Sequence, residues 1–252
     1  MNRTDQATGI VSSVCECPLA ASRGLLLTCS HISVGPCALL YQTLGGAFIL
    51  PLYYLLFVRK PANFAGADVQ ANLLLPLVLG YLVPTVLMFI PWDDLVLSQN
   101  FAAVWQCAPM YPNMLAYLFP SRKANPRRIY VLAGVVALAS HAYLIYGSTD
   151  PTLSLPTVML PNNTPWKADM ASGLLYIFQW DFIGIFAASL LWCWLSVIEV
   201  WDISGAHSGA QAVKAGAVIG LLTLVGGPGT AMAVVWYWRE GKIAESQKVK
   251  KP

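Results

Sequence analysis

The feature of this sequence that most limits its fold is a series of long apolar runs, several of them long enough to cross a membrane. A helix needs roughly 20 mostly apolar residues to cross the hydrocarbon core of a bilayer. Hydrophobic residues make up 57% of the 252 residues and charged residues only 11%, less than half of the roughly 25% typical of a soluble domain. The sequence therefore predicts an all-α, polytopic transmembrane helix bundle.

Six spans can be placed on the apolar runs, and they divide the chain into three parts. An N-terminal arm covers residues 1–30, the transmembrane bundle covers residues 31–238, and a basic C-terminal tail covers residues 239–252. The predicted spans are residues 31–58, 71–90, 100–119, 129–146, 171–198 and 212–238.

The charges between the spans predict a topology that conflicts with six crossings. Basic residues favour the cytosolic side, which places Arg59-Lys60 and the cluster from Arg122 to Arg128 in the cytosol. The loop at residues 147–170, with its sequon at Asn162, is then luminal. Six spans would put the tail in the lumen too, where its Lys-x-Lys-x-x retrieval pattern has no function. A seventh span would remove the conflict, but the break at Gly226-Gly227-Pro228-Gly229 leaves too few residues after it for a full crossing. We therefore predict six or seven spans in the endoplasmic reticulum membrane.

The motifs that are missing from the sequence exclude several function classes. Positive charges occur in short clusters rather than as a continuous basic face, so nucleic acid is not an expected partner. The sequence contains no His-Glu-x-x-His, Gly-x-Ser-x-Gly or P-loop pattern, and we expect neither a metal nor a cofactor. The expected partners are the lipid bilayer and a lipophilic small-molecule substrate.

Asp181 is the leading candidate for a catalytic residue. It lies inside the fifth predicted span, where an ionisable side chain costs on the order of 3 kcal/mol, so that such residues are functional hypotheses. At 100° per residue, Trp192 and Glu199 fall on nearly the same helical face. A carboxylic acid held protonated in an apolar cavity can act as a general acid toward an epoxide or alkene. The alternative is a structural hydrogen bond to a neighbouring helix, and the same two interpretations apply to His141 in the fourth span.

The full set of candidate site residues follows from these arguments and from the aromatic and amide side chains within the spans. The predicted catalytic residues are Asp181, His141 and Glu199. The predicted substrate-binding residues are Tyr54, Trp105, Gln106, Gln179, Trp180 and Trp192.

Five short motifs are spread over residues 33–240. They are Pro51-Leu52-Tyr53-Tyr54, Gly80-Tyr81 with Pro84-Thr85, Trp105-Gln106 with Pro109, Gln179-Trp180-Asp181, and Gly227-Pro228-Gly229 leading to Trp238-Arg239-Glu240. These motifs resemble those of small fungal membrane proteins from secondary-metabolite pathways. The chain is similar to the membrane-bound cyclases of meroterpenoid clusters and to the epoxide-opening hydrolases or cyclases of polyketide clusters, such as those for aurovertin-type compounds.

The resemblance implies a cofactor-independent enzyme that protonates an epoxide or polyene, with Asp181 as its intramembrane acid. It also implies an upstream epoxidising monooxygenase as a partner. Meroterpenoid cyclases carry a second acid in an early helix, whereas the first two spans here contain none. That departure favours the polyketide-type branch, with His141 or Glu199 as the second group. The alternatives are a transporter of a hydrophobic metabolite, although the chain lacks an internal repeat, and a non-catalytic scaffold.

Overall fold

The computed structural model describes residues 40–41, 43–58, 74–118, 127–147, 159–161, 166–203 and 208–249. Within these ranges the backbone is helical and contains no β-strand, which confirms the all-α prediction. The predicted arm at residues 1–30, Arg59-Lys60, the sequon at Asn162 and the last three residues of the tail lie outside the described residues.

The helices follow one another along the chain with short or undescribed connections. Helix α2 contains a π turn at Val78–Leu82, and α5 continues into a π turn at Tyr143–Gly147. The bounds are α1 Gly46–Val58, α2 Leu74–Phe89, α3 Leu95–Gln106, α4 Tyr111–Leu118, α5 Arg127–Ala142, α6 Met170–Ile203, α7 Gly209–Gly226 and α8 Pro228–Val249.

Three helices among the described residues are long and apolar enough to cross a membrane. They cover Arg127–Tyr146, Met170–Asp202 and Gly209–Gly226, and α1 and α2 add shorter apolar helices. The helices predicted at residues 129–146 and 171–198 are thereby confirmed. The count of six or seven spans remains a prediction.

Two of the predicted spans are not single helices. The span predicted at residues 100–119 is divided between α3 and α4 by turns at residues 107–110, where Pro109 has no N–H to continue a helical ladder. The span predicted at residues 212–238 is divided between α7 and α8 at Gly227, which has a φ of 82°. The second break has the larger consequence, because it reverses the chain.

Contacts along α6 show that α1 and α8 run in the same direction as α6. Near the start of α1, Ala47 N–H donates a hydrogen bond to Asp181 of α6. Further along α1, Tyr54 is hydrogen-bonded to Ser189 of α6. On the other side, Trp236 packs on Trp192, and Arg239 pairs with Glu199 further along. Residue numbers therefore increase in the same direction along all three helices, and their C-terminal ends lie at the same end of the bundle.

Helices α5 and α7 run in the opposite direction. Along α5, Arg127 lies over the ring of Tyr237, whereas His141 lies against Gly227 at the start of α8. Along α7, Ala212 near the start accepts a hydrogen bond from Trp194 Nε1 in the second half of α6. The turn at Gly227 thus sends α8 back antiparallel to α7 for 22 residues. A return helix therefore follows the break, whereas a full membrane crossing by this segment remains untested.

The bundle has two chemically different ends. Glu199, Arg239, Lys242 and Arg127 gather at one of them, which we call the basic end. The other, from which α6 begins, we call the loop end. There Asp169 caps α6 by accepting a hydrogen bond of 2.7 Å from Ser172 N–H, and this bond lowers the pKa of the Asp169 carboxyl below its usual value.

Candidate active site

The carboxyl group of Asp181 caps the start of α1, where the helical backbone is interrupted at Gly45. Gly45, just before α1, has a φ of 89°, a conformation that only glycine adopts readily. The break leaves Ala47 N–H in the first turn of α1, where a backbone donor has no intrahelical partner. Asp181 Oδ1 accepts that N–H at 2.7 Å. The predicted structural hydrogen bond to another helix therefore exists, and it fixes one oxygen of the carboxyl group.

Small residues make this contact possible, because they let α1 and α6 approach closely. A Cβ added to Gly184 would lie 2.6 Å from the Cβ of Ala47, and one added to Gly46 would clash with Ile185. A Cβ on Gly45 would lie 3.3 Å from Asp181 Oδ1. Small residues at helix interfaces are the usual means of close backbone approach in membrane bundles.

His141 lies at the same end of the bundle as Asp181. It is the penultimate residue of α5 and is only 8% exposed. Its ring lies against Gly227, where an added Cβ would come within 2.9 Å of Nδ1. Leu144, one turn after His141, packs against Phe182, the residue that follows Asp181. The structure therefore brings the Asp181 and His141 segments together at the loop end.

Glu199 is separated from Asp181, although both lie on one face of α6. The helix is continuous between them, and about five turns at 1.5 Å per residue put them roughly 27 Å apart. Glu199 instead lies 3.5 Å from Arg239 Nη2 at the basic end. Two groups at this distance cannot act on one reacting bond, so the expectation that Glu199 partners Asp181 is not supported by the geometry.

Replacing Glu199 with glutamine is therefore expected to leave substrate conversion at the wild-type level. Loss of the partly exposed ion pair should lower the free energy of unfolding by on the order of 1 kcal/mol or less, and Arg239 keeps Glu240 at 3.6 Å. Conversion by membranes with matched protein levels, together with thermal unfolding of the purified protein, tests both expectations. Loss of conversion at normal stability would contradict this prediction and show that Glu199 takes part in the reaction.

Tyr54 and Trp192 meet in the centre of the bundle rather than beside Asp181. Their rings stack with centroids 4.4 Å apart at 18°, and Trp192 also packs on Trp236 at 4.7 Å. Tyr54 Oη and Ser189 Oγ are hydrogen-bonded at 2.9 Å. Trp192 is about three turns, or roughly 16 Å, from Asp181 along α6. These rings form part of the core, and the substrate contact predicted for them remains a prediction.

Gln179 and Trp180 adjoin Asp181 in sequence but face different surroundings. Gln179 is buried, whereas Trp180 is 51% exposed. Trp180 continues a row of aromatic rings with Tyr176 and Trp166 on the outside of the loop end. Such rows are typical of the membrane–water interface. Of the two, Gln179 is therefore the better placed to contact a substrate within the bundle.

Trp105 and Gln106 belong to a different part of the fold. Trp105 Nε1 donates to Thr85 Oγ1 at 3.1 Å, and Thr85 in turn donates to Tyr81 C=O at 2.7 Å. Thr85 and Tyr81 line a cavity of about 30 Å³ between α2 and α5. Gln106, at the end of α3, is exposed. Trp105 thus hydrogen-bonds a residue that lines an apolar cavity, whereas Gln106 does not line this cavity.

Three residues of this region were not among the predicted site residues, namely Gly45, Ala47 and Gly227. The sequence signals available for them were the Gly45-Gly46 pair inside an apolar run and the Gly-Gly-Pro-Gly break. Both patterns indicate irregular backbone. Neither shows which side chain lies against the irregular residue.

Comparison with known proteins identifies the family. A family model described as the CtvD domain matches residues 32–244. The chain belongs to the CtvD-domain family. Among curated relatives, terpene cyclase DEP1 of Alternaria brassicicola is 29% identical over 244 residues, covering 79% of this chain and 66% of that protein. Terpene cyclase janA of Penicillium janthinellum is 24% identical over 172 residues, or 61% of this chain and 48% of that protein.

A relative with another name matches over only a small part of its length. FAD-dependent monooxygenase verC1 of Penicillium polonicum is 27% identical over 231 residues, which is 82% of this chain but 28% of that protein. The chain thus spans between 28% and 66% of the lengths of these relatives. No solved structure matches it significantly. The resemblance to fungal cyclases is confirmed at family level, whereas the polyketide branch remains a prediction.

Proposed function

We propose that this CtvD-domain protein is a membrane-embedded cyclase of secondary metabolism that opens an epoxide by donating a proton from Asp181. The observation that carries the proposal is the fixed carboxyl group of Asp181 in the bundle, with Oδ1 bonded to Ala47 N–H at a helix break. Relatives named terpene cyclases support cyclisation as the type of reaction. Their names also favour an isoprenoid portion in the substrate.

The hydrogen bond from Ala47 assigns separate tasks to the two carboxyl oxygens. Because Oδ1 accepts the backbone N–H, the proton of the neutral acid is carried by Oδ2. Transfer of that proton to the epoxide oxygen accompanies cleavage of its C–O bond, and the oxygen becomes a hydroxyl. The Ala47 N–H and the positive end of α1 stabilise the carboxylate that remains. General-acid catalysis of this kind contributes roughly 10²–10⁴-fold to a rate.

Ring closure then restores the proton balance. An internal alkene or hydroxyl attacks the electron-poor carbon, forms a C–C or C–O bond, and ends by losing one proton. His141, whose segment packs against that of Asp181, is the side chain we assign to accept it. One proton is donated and one is lost, so the reaction consumes no cofactor. A cyclised product has the mass of its substrate, whereas attack by water adds the mass of one water.

An epoxide substrate requires an earlier reaction that inserts oxygen into an alkene. The similarity to part of a protein named as an FAD-dependent monooxygenase supports a monooxygenase as the preceding enzyme. In that relative, the matching region is 28% of the chain, so a region like this one is joined to a much longer remainder.

We also propose that the chain crosses the membrane seven times, with α8 as the last crossing. The return of α8 brings its C-terminal half to the basic end, beside Arg127. The positive-inside rule then assigns this end to the cytosol, and the loop end to the lumen. A cytosolic tail is also what the endoplasmic-reticulum interpretation of Lys248 to Lys251 requires. Accessibility of cysteines introduced singly after Val249 to an impermeant reagent, in sealed microsomes, tests this orientation.

The activity is tested by supplying membranes with epoxidised terpenoid and epoxidised polyketide precursors. We expect one class to give a product of unchanged mass and altered retention, and membranes without the protein to give none. The class converted decides between the two branches of the resemblance. Absence of any conversion, together with a changed distribution of precursor across sealed vesicles, would instead support a transporter.

A further inference from the structure

The cavity between α2 and α5 lies against the π turn of α2, in a part of the bundle that the proposed reaction does not use. Pro84 has no N–H and cannot continue the regular helical ladder. Val83 N–H donates instead to Val78 C=O, five residues back. Single π turns inside α-helices are frequent at functional sites. The irregular turn therefore marks this cavity as a candidate binding position.

The wall that the π turn gives to the cavity is fixed from behind. A Cβ on Gly80 would lie 2.8 Å from Pro112 N, so α4 packs directly on the backbone of α2. Trp105 Nε1 donates to Thr85 Oγ1, which in turn donates to Tyr81 C=O. Thr85 and Tyr81 are both buried. The wall is thus formed by contacts within the protein, as in most small-molecule sites, and does not depend on a ligand.

Apolar side chains form nearly all of the interior of this cavity. Of the nine residues that line it, seven have no polar side-chain atom, and the other two are Tyr81 and Thr85. The Thr85 hydroxyl is already engaged both as donor and as acceptor. A buried water needs about two to four polar partners, whereas apolar cavities stay dry and bind apolar molecules. The interior therefore fits a hydrocarbon better than water or a polar group.

The shape of the cavity is that of a narrow slot, which we call the α2–α5 slot. Its lining covers residues 77–85 and 129–136, roughly 10 Å along each helix, whereas its volume is only about 30 Å³. Leu82 and Val136 are half-buried, so one side of the slot opens between the two helices. Val136 lies roughly 8 Å along α5 from His141. A chain in the slot can therefore extend toward the loop end.

We propose that the α2–α5 slot binds the isoprenoid chain of the lipophilic substrate in an extended form. The preference for a hydrocarbon rests on the lining of the slot, whereas the assignment to an isoprenoid substrate rests on the proposed function. Ala133 has the smallest side chain in the lining, so this residue determines how much of the chain the slot accepts. The slot thereby orients the substrate along the bundle, with the reacting group at the loop end.

Light-induced crosslinking locates the chain without any need for turnover. The full-length protein in lipid nanodiscs is irradiated with a farnesol analogue that carries a diazirine at its hydrocarbon end, and the labelled residues are found by mass spectrometry of the peptides. We expect label on residues 77–85 and 129–136 that an excess of unmodified farnesol removes. An excess of palmitate, a linear acyl chain, is expected to leave this label in place.

Substitutions on α5 supply the controls. Ala133→Leu fills the slot and is expected to abolish the label that farnesol removes, and Val136→Phe is expected to do the same from the next turn. Ala139→Leu makes the first substitution at an exposed position of the same helix and should keep the label at the wild-type level. Thermal unfolding of each variant shows that it is folded, and the competition by farnesol in the wild type is decisive by itself.

Two results would overturn the inference. Removal of the label by palmitate as effectively as by farnesol would show that the slot holds an acyl chain of the membrane rather than the substrate. Label that neither competitor removes, or that folded Ala133→Leu retains, would show that the slot is not a binding site. Label removable by farnesol on a protein that converts no epoxide contradicts only the cyclase proposal, whereas conversion without such label contradicts only this inference.

Discussion

Asp181→Asn is expected to abolish conversion of the epoxide precursor while the protein folds normally. The amide oxygen of asparagine can still accept the hydrogen bond that Ala47 N–H donates to Oδ1, so the break before α1 keeps its cap. An amide cannot supply the proton, and loss of a general acid lowers a rate by roughly 10²–10⁴-fold. The measurement is product formed per amount of folded protein in membranes that contain the wild type or the variant.

Asp181→Ala is the matched variant that removes both functions. It leaves the Ala47 N–H without its acceptor at a partly buried helix break, which costs on the order of 1–3 kcal/mol of unfolding free energy. We therefore expect both variants to be inactive, but only Asp181→Ala to unfold at a lower temperature. Normal turnover by Asp181→Asn would show that the carboxyl group is solely a cap for α1, and the proton would have to come from elsewhere.

The sequence was sufficient to single out Asp181 and His141 as candidates, because a polar side chain in an apolar run is costly whatever the details of the fold. It did not reveal the partner of Asp181. That partner is a backbone N–H, which every residue except proline possesses, and only the break at Gly45 makes the one of Ala47 available. Because the availability of this donor depends on backbone conformation, the type of residue at position 47 does not indicate it.

Glu199 shows a different limit of reading a helix from sequence. The period of 100° per residue gives the direction in which a side chain points, and on that basis Glu199 and Asp181 share a face. The helical period alone gives no distance along the axis. The rise of about 1.5 Å per residue separates the two side chains by roughly 27 Å. The same rise explains why Trp192 lies in the aromatic core beside Tyr54 rather than at the carboxyl group.

The conflict between basic tail and span count arose from reading Gly226-Gly227-Pro228-Gly229 as an interruption. In the structure these residues form a reversal, because Gly227 takes a positive φ and Pro228 begins the next helix. The charges from Arg239 onward shorten the apolar part of α8, so a seventh crossing remains a prediction. Packing against α5 and α6 holds this helix in place.

The close approach of α1 and α6 leads to a second large effect, at a residue that carries no chemistry. Gly184→Ala would place a methyl group 2.6 Å from the Cβ of Ala47, so the two helices must separate. Overpacking of this kind costs about 1–3 kcal/mol of unfolding free energy. Separation also moves Ala47 N–H away from Asp181, and a displacement of roughly 1 Å at a reacting group can cost about 100-fold in rate. We expect both a lower unfolding temperature and a large loss of conversion.

Gly220→Ala is the control, because it makes the same substitution on a helix of the same bundle. A Cβ on Gly220 meets no atom of the described residues within 4 Å, and alanine in a helix interior is favoured over glycine by roughly 0.5–1 kcal/mol. The two variants should therefore change the unfolding temperature in opposite directions, and only Gly184→Ala should lose activity. If Gly184→Ala keeps full activity, the spacing between α1 and α6 does not determine how Asp181 is positioned, and the carboxyl group must be oriented by contacts other than its bond to Ala47.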